Sequence, residues 1–305
     1  MKTVTIIGAG SVGVACANAI LHLEVANRVS LFDMNAERAE GEALDFAHVA
    51  PMLGHCQVDG GGMERLESAG DICIITAGAK QRPGETRLQL VDRNLEALDS
   101  IASQLEAKGL PRIALVVSNP VDVMTFALTK RWQSKGVSVL GTGTLLDSMR
   151  LRATLARWLQ VSGESVHAWV VGEHGDSSVP LLDSARVAGQ SLPAYCERRG
   201  IRFSQEQRSA LVDGVRNAAG EVIRKKGATS HAIGLVTARL VSALLSDEGV
   251  ILPVSASIEG VCAGVPSRIG FTGPRVLGWP ELSAVERGQL DASLSVLREA
   301  CSRVG

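Results

Sequence analysis

The chain has 305 residues, 46% of them hydrophobic, and its mean hydropathy is +0.16. This length allows one large or two medium-sized cores, and the high hydropathy predicts that some apolar surface is buried between subunits. A formal net charge of -1 leaves no basic surface to neutralise a phosphate backbone, which argues against a nucleic-acid partner. No stretch reaches the roughly eighteen uncharged apolar residues of a spanning helix, so no membrane association is expected.

The cysteines and the N-terminus bear on the cellular compartment. Six cysteines are scattered without a C-x-x-C pair, and a chain of this size does not need disulfides, so we expect reduced thiols in a cytoplasmic protein. Lys2, the apolar run after it and Ala15-Cys16-Ala17 resemble a signal peptide. Glycines interrupt that run, and cleavage would remove the first predicted strand. We therefore interpret the N-terminus as part of the fold.

Residues 1–143 alternate short β-branched runs with amphipathic stretches. Strands are predicted at 4–7, 29–32, 72–76, 113–117 and 137–140. Helices are predicted at 11–23, 36–49, 94–108 and 123–132. Near-continuous apolar strands separated by helices indicate a parallel sheet covered on both faces. The fold class is therefore α/β, with a doubly wound parallel-sheet domain over residues 1–143.

The pattern changes after this point, and helices dominate residues 144–305. Helices are predicted at 145–159, 204–226, 230–245 and 283–302, with strand-like runs at 166–171 and 250–254 and a stretch rich in glycine and proline at 260–280. No Ser/Pro-rich or charged linker separates the halves. We expect a second, mixed α+β domain, with the helix near 230–246 packing back on the first.

The segment GAGSVG at 8–13 has the G-x-G-x-x-G spacing, after a predicted strand and at the start of a predicted helix. In such a loop Gly8 permits the tight turn, Gly10 lets the backbone approach a pyrophosphate, and Gly13 allows close helix packing. The helix N-terminus then favours the anion. An ordinary glycine-rich turn is the alternative.

Asp33 makes this signature more specific, because it ends the second predicted strand twenty residues after Gly13. A carboxylate there accepts hydrogen bonds from the adenine-ribose hydroxyls and repels a 2′-phosphate, which favours NAD over NADP. A capping or solvent-exposed aspartate is the alternative. We predict an NAD site at this end of the sheet.

Three further segments carry reactive side chains: GETR at 84–87, LDSMR at 146–150 and GEHGD at 172–176. Together they supply one proton carrier, one carboxylate to orient it and two guanidinium groups. Asp147 and Arg150 are three residues apart in a predicted helix and so share a face. This set fits hydride chemistry on a small 2-keto or 2-hydroxy carboxylic acid.

Six motifs in order resemble those of the L-lactate and malate dehydrogenase family, and within it bacterial L-lactate dehydrogenases. They are GAGSVG, TAGAKQRPGETRLQLVDRN, SNPVDVMT, GTGTLLDSMRLR, GEHGDSSVP and KGATSHAIG. The resemblance covers nearly the whole chain. It implies a Rossmann NAD domain followed by a mixed α+β catalytic domain, no metal, and reversible hydride transfer between NADH and pyruvate giving L-lactate.

The resemblance also implies roles for individual residues. Asp147 accepts a hydrogen bond from one imidazole nitrogen of His174, and the other nitrogen donates a proton to the substrate carbonyl. Arg150 binds the substrate carboxylate with a bidentate fork. Arg87 lies on a loop that closes over the site and polarises the carbonyl.

Other matched positions line the substrate and the cofactor. Asn119 donates to the substrate oxygen, and the bond to Pro120 fits a cis peptide. Thr229 faces the substrate side chain, with a helix N-cap as its alternative role. The remaining cofactor-binding positions are Ser11, Val12, Thr76, Ala77, Gly78 and Ser118, beside Asn119 and the residues already named.

The choice of 2-hydroxy acid depends on Gln81, the loop residue that faces the C3 substituent. Malate-using members carry arginine there, and lactate-using members commonly carry glutamine. Oxaloacetate would bring an extra charge into a closed site without a matching cation. Glu85 adds negative charge nearby. The alternative is a malate dehydrogenase in which Arg82, after a one-residue shift of the loop, takes the selective role.

Arg152 and His167 match positions that form an anion site across a subunit interface in this family. Fructose 1,6-bisphosphate occupies that site in activated bacterial enzymes, and members that are not activated also carry both residues. The resemblance implies a homotetramer.

The remaining alternative is a protein that binds NAD without catalysing a reaction. The presence of the full set of catalytic residues argues against it; they are His174, Asp147, Arg87 and Arg150.

Overall fold

The computed structural model describes residues 1–52, 54, 56–78 and 87–304, apart from the side chains of residues 50, 87 and 88. The chain divides into two compact units. The first contains Met1–Thr142, Ser230–Val250 and Arg268–Arg275, and the second contains Gly143–Thr229, Ile251–Ser267 and Val276–Gly305.

The first unit contains a parallel sheet. Its strands are β1 (Thr3–Ile7), β2 (Arg28–Asp33), β3 (Gln57–Gly62), β4 (Ile72–Ile75), β5 (Ile113–Val116) and β6 (Ser138–Gly141). They lie in the order β3-β2-β1-β4-β5-β6, and every neighbouring pair is parallel. The order reverses between β1 and β4, where doubly wound sheets open a ligand crevice at the carboxyl ends of their strands. The predicted fold class is confirmed.

The connecting helices are α1 (Ser11–His22), α2 (Ala36–Val49), α3 (Arg87–Lys108) and α4 (Val121–Trp132). One core cluster combines the sheet residues Ile75 and Val116 with Leu105 of α3 and Trp132 of α4, all at most 1% exposed. Because these apolar side chains come from strands and helices alike, their burial holds α3 and α4 against one face of the sheet.

The sequence prediction was wrong for β3, which it left without a strand, and for the start of α3, which begins at Arg87 and not at 94. The segment Gln57–Gly62 contains three glycines, so it lacks the β-branched composition of a strand. Packing explains the composition. A Cβ at Gly60 would lie 2.6 Å from the Leu31 carbonyl oxygen and 2.9 Å from Ala43 Cβ, so only glycine fits between β2 and α2.

The second unit begins with α5 (Leu145–Leu159), followed by five short strands and two helices. These are β7 (Val166–His167), β8 (Val170–Val171), β9 (Val179–Pro180), β10 (Arg186–Val187), β11 (Gln190–Ser191), α6 (Leu192–Arg198) and α7 (Gln205–Lys226). The run predicted as one strand at 166–171 is thus two strands of two residues. A 3-10 turn lies at Gly163–Ser165 in this unit, and the described part of the first unit has 3-10 turns at Ala50–Met52 and Met63–Arg65.

The next helix, α8 (His231–Leu245), belongs to the first unit and packs on α1. Their closest approach is at Gly234, where a Cβ would lie 2.6 Å from the Ala15 carbonyl oxygen. Glycine therefore permits direct contact between the two helix backbones.

The chain ends with β12 (Ile251–Ile258), β13 (Val261–Gly270), β14 (Gly273–Val276) and α9 (Ala284–Cys301). The stretch at 260–280, singled out in the sequence for its glycine and proline, therefore contains two strands. Helix α9 begins with a capping box between Ser283 and Glu286 and buries Leu290, Leu294 and Leu297 against Val171 and Val179.

All six cysteines are free and buried, as the sequence predicted for reduced thiols. Burial raises the pKa of Cys73 to about 12, so this thiol is unreactive at neutral pH. Within the ranges described, no helix is long and apolar enough to cross a membrane.

Candidate active site

In the glycine loop between β1 and α1, other atoms pack closely against Gly8 and Gly13 but not against Gly10. Gly8 has φ +110, and a Cβ there would lie 2.6 Å from the Ala77 nitrogen. A Cβ at Gly13 would overlap the carbonyl oxygen of Gly8, so α1 starts in direct contact with the loop. A Cβ at Gly10 would meet nothing within 4 Å. The open side at Gly10 leaves room for a pyrophosphate, and the residues present fit a dinucleotide.

Asp33 contacts this loop directly. Its Oδ2 accepts a 2.7 Å hydrogen bond from the Ala9 N–H, and its Oδ1 accepts a 2.9 Å bond from the Asn35 N–H. The carboxylate therefore connects the end of β2 to the glycine loop. Each carboxylate oxygen keeps a further lone pair, which can accept from a ribose hydroxyl.

The carboxyl ends of β4 and β5 are joined to the same region by short hydrogen bonds. The Thr76 hydroxyl donates to the Gly8 carbonyl at 2.8 Å, and the Ser118 hydroxyl donates to the Ala77 carbonyl at 2.5 Å. The structure thus brings together four predicted cofactor positions, Gly8, Thr76, Ala77 and Ser118, within one unit.

Asn119 follows at the end of β5. The peptide bond between Asn119 and Pro120 is cis, as the sequence suggested. Asn94 of α3 donates from Nδ2 to the Asn119 carbonyl at 2.9 Å, which ties this loop to the helix. Sequence reasoning did not identify Asn94, although it is 3% exposed and ends the motif that contains Arg87.

Gln81, Arg82 and Glu85 lie outside the described residues, and so does the side chain of Arg87, the first residue of α3. Their roles therefore stay predictions.

In the second unit, His174, Asp147 and Arg150 form one connected group. His174 Nδ1 lies 2.6 Å from Asp147 Oδ2, and Arg150 Nη1 donates to Asp147 Oδ1 at 2.8 Å. Asp147 is 7% exposed. Burial raises the pKa of its carboxyl, but hydrogen bonds and charge from His174 and Arg150 outweigh that effect and lower the pKa below its usual value. The carboxylate is therefore ionised where it contacts His174 and Arg150.

Buried hydroxyls hold the helix of Asp147 against the strand that leads to His174. Thr144 precedes α5 and donates from Oγ1 to the Val170 carbonyl at 2.6 Å. Ser148 Oγ accepts from the Val170 N–H at 2.8 Å. Both side chains are 0% exposed. Since Ser148 is adjacent to Asp147, these bonds set the distance between the carboxylate and the histidine loop.

The loop that carries His174 is anchored at both ends. Gly172 exchanges two backbone hydrogen bonds with Gly264, at 3.0 and 2.8 Å. At the other end, Arg216 of α7 donates to the Ser178 carbonyl from Nη2 at 2.7 Å and from Nε at 3.3 Å. Sequence reasoning missed Arg216, since nothing local distinguishes it from a solvated arginine on a helix.

Three further predicted residues have defined surroundings. Thr229 follows α7 by three residues and directly precedes Ser230, which occupies the N-cap of α8, so Thr229 is not the capping residue. Arg152 Nη2 donates to the Gly163 carbonyl at 3.2 Å. His167 is exposed in β7 and pairs with Arg186 across the sheet.

The comparisons with known proteins agree with this geometry. Residues 2–141 match the family model for the lactate/malate dehydrogenase NAD binding domain, and residues 144–304 match the model for the lactate/malate dehydrogenase alpha/beta C-terminal domain. The chain belongs to the lactate/malate dehydrogenase family. The predictions of the family and of NAD as cofactor are confirmed.

Relatives in the lactate/malate dehydrogenase family are similar over their full length. The L-lactate dehydrogenase of Thermus aquaticus is 39% identical over 308 residues, covering 99% of both chains. That of a Synechococcus strain is 40% identical, covering 98% of both. The crystal structure of a minor L-lactate dehydrogenase from Enterococcus mundtii superposes with a TM-score of 0.92 at 37% identity, covering 100% of this chain and 98% of that one.

Proposed function

We propose that this protein is an L-lactate dehydrogenase, which transfers hydride reversibly between NADH and pyruvate to give L-lactate and NAD⁺. The observation that carries the proposal is the buried Asp147 carboxylate, bonded to His174 on one oxygen and to Arg150 on the other. This arrangement places a proton donor, His174, beside a carboxylate-binding group, Arg150, in a chain of this family. Relatives named L-lactate dehydrogenase support the same activity.

His174 is the proposed proton carrier. Nδ1 contacts Asp147, and Nε2 is the nitrogen assigned to donate to the carbonyl oxygen of pyruvate or to accept the hydroxyl proton of lactate. Asp147 stabilises the imidazolium and holds the ring in place. When bound, NAD supplies or accepts the hydride at the substrate C2 atom.

Arg150 is proposed to bind the substrate carboxylate. One of its terminal nitrogens already donates to Asp147, so the N–H groups on Nε and Nη2 supply the fork. The ion pair with Asp147 also restrains the Arg150 guanidinium before the substrate binds. Asn119 and Thr229 are assigned to the substrate oxygen and side chain, and Arg87 to polarising the carbonyl as the loop closes.

The dinucleotide is proposed to lie along the carboxyl ends of β1, β2 and β4. Gly10 is open to solvent at the start of α1, where backbone N–H groups favour a pyrophosphate. Asp33 is assigned to the ribose. The other proposed contacts are Gly8, Ser11, Val12, Gly13, Thr76, Ala77, Gly78, Ser118 and Asn119.

Pyruvate is proposed over oxaloacetate because Gln81 offers no positive charge to a second carboxylate. Malate dehydrogenase is the second candidate, since Arg82 is the adjacent residue. The test is the ratio of kcat/KM for pyruvate to kcat/KM for oxaloacetate with NADH. We expect a strong preference for pyruvate, whereas a preference for oxaloacetate would replace the proposal with the malate assignment.

We further propose a cytoplasmic homotetramer that serves fermentation at the end of glycolysis. The six buried, free cysteines are typical of a reducing compartment.

Arg152 and His167 are assigned to an anion site for fructose 1,6-bisphosphate at a subunit interface. Binding of the bisphosphate there would shift the enzyme population toward the active state. A flat curve of initial rate against the bisphosphate, at subsaturating pyruvate, would exclude this activation.

A further inference from the structure

A buried hydroxyl of α9 lies against the loop that carries His174. Ser293 is 0% exposed on the inner face of this helix. Its Oγ accepts a 2.9 Å hydrogen bond from the N–H of Glu173, the residue directly before His174. The same Oγ lies 3.1 Å from the hydroxyl oxygen of Ser177, three residues after His174. Ser293 thus contacts the loop on both sides of the histidine.

These contacts close into a ring. Glu173 Oε2 accepts from the Ser177 hydroxyl at 2.5 Å and from the Ser177 N–H at 3.2 Å. Ser177 has one hydroxyl proton, and a carboxylate is the stronger acceptor, so that proton points to Glu173. Ser293 then donates its own proton to Ser177. The ring runs from the Glu173 N–H through the hydroxyls of Ser293 and Ser177 back to the Glu173 carboxylate. Each hydrogen bond in the ring strengthens the next.

Close packing brings α9 to the loop at a third position. A Cβ at Gly172 would lie 2.6 Å from Ser293 Oγ, so the glycine lets the hydroxyl approach the loop backbone. Gly172 is itself bonded in both directions to Gly264. The polypeptide entering His174 is therefore held by β13 on one side and by Ser293 on the other.

We propose that Ser293 is a positioning residue for proton transfer: by fixing both the backbone and the side chain of Glu173, it keeps the His174 ring in register with Asp147. This inference rests on the proposed dehydrogenase function. Arg150, which is assigned to the substrate carboxylate, lies on α5 and is outside the ring. Loss of the ring should therefore impair the chemical step more than substrate binding.

The test compares Ser293→Ala with Ser295→Ala, a matched control because Ser295 is exposed on the same helix. Rates of a single turnover of NADH with pyruvate are measured along with KM and the NADH dissociation constant. We expect Ser293→Ala to lower the single-turnover rate about 10-fold to 100-fold, the range of a misplacement near 1 Å. The pyruvate KM and the NADH dissociation constant should stay within about twofold of wild type, since both binding sites are spared.

The ring also predicts coupling between its two hydroxyls. Ser177→Ala should slow the reaction, and Ser177→Ala combined with Ser293→Ala should be no slower than Ser293→Ala alone, because either change opens the ring. Strictly additive losses would show that the two serines act separately and would overturn the proposal.

Deuterium exchange of the peptide covering 172–178 provides a readout that does not depend on turnover. We expect faster exchange in Ser293→Ala and wild-type exchange in Ser295→Ala. The inference is overturned if Ser293→Ala has both wild-type exchange and a wild-type single-turnover rate. It is also overturned if Ser293→Ala unfolds at a lower temperature but keeps the wild-type single-turnover rate per NADH-binding site.

If the wild-type protein does not reduce pyruvate, the proposed function fails. The variants are then compared on whichever 2-keto acid the wild-type protein reduces, and by their deuterium exchange.

Discussion

Nδ1 of His174 lies 2.6 Å from Oδ2 of Asp147, and the other oxygen of the same carboxylate accepts from Arg150 at 2.8 Å. One buried carboxylate therefore orients both the proposed proton carrier and the proposed substrate anchor. Because Asp147 is ionised in this setting, it favours the protonated histidine that ketone reduction requires.

Replacing Asp147 by Asn should remove this charge while keeping most of the shape. We expect kcat/KM for pyruvate reduction to fall about 10²-fold to 10⁴-fold, as for other carboxylates that orient a catalytic histidine. The alkaline limb of the pH profile should also move to lower pH, because the imidazolium loses its counter-charge. The measurement is kcat/KM for pyruvate between about pH 5 and pH 9, and an unmoved alkaline limb would contradict the assigned role.

Two glycines of the same loop should respond differently to alanine. Gly10→Ala places its methyl group in open space, so the unfolding free energy should change by less than about 1 kcal/mol while NADH binding weakens at least about tenfold. Gly13→Ala directs its methyl group into the Gly8 carbonyl and should destabilise the unit itself.

Thermal unfolding without NADH, followed by NADH titration of the folded variants, separates the two effects. Equal stability losses for both variants would contradict this account of the loop, and undiminished NADH affinity in Gly10→Ala would remove the proposed pyrophosphate site.

Asp33→Ser should relax the preference for NADH over NADPH, because the negative charge that repels a 2′-phosphate is lost. The same change removes an acceptor from the Ala9 N–H, so affinity for NADH should also fall. The ratio of kcat/KM values for the two cofactors measures the first effect. An unaltered ratio would mean that another group excludes the phosphate.

A network between α3 and α4 should make stability depend on pH. Glu106 accepts from Arg131 Nε at 2.8 Å, from Lys135 at 2.8 Å and from Trp132 Nε1 at 2.8 Å. Hydrogen bonds from Arg131 and Lys135 hold the pKa of Glu106 well below its usual value. A carboxyl whose pKa is lowered by folding stabilises the protein above its unfolded pKa, and this contribution is lost as the pH falls through the lower value.

Glu106→Gln should therefore lower the free energy of unfolding by up to about 1 kcal/mol at pH 7, since the partly exposed pairs are screened by solvent. The deficit should shrink as the pH falls below about 4. Glu96→Gln, at an exposed position of the same helix, is the matched control and should change little. A deficit that does not depend on pH would show that packing, not charge, is the cause.

Local signals in the sequence were enough to predict much of the candidate site. The glycine spacing at 8–13, the carboxylate at Asp33 and the three-residue separation of Asp147 and Arg150 each depend on one turn, one strand end or one helix face. Such features follow from backbone geometry within a few residues. The alternation of apolar runs with helices likewise predicted the parallel sheet, because burial on both faces requires it.

The sequence by itself determined the fold class, the cofactor and the kinds of side chain at the candidate site, since these depend on short-range patterns. Only the tertiary structure decided that a glycine-rich segment forms β3 beneath α2, and that Ser293 meets Glu173 across 120 residues of chain. Contacts between distant segments follow from how whole elements pack, and no local pattern around a buried serine or glycine specifies its distant partner.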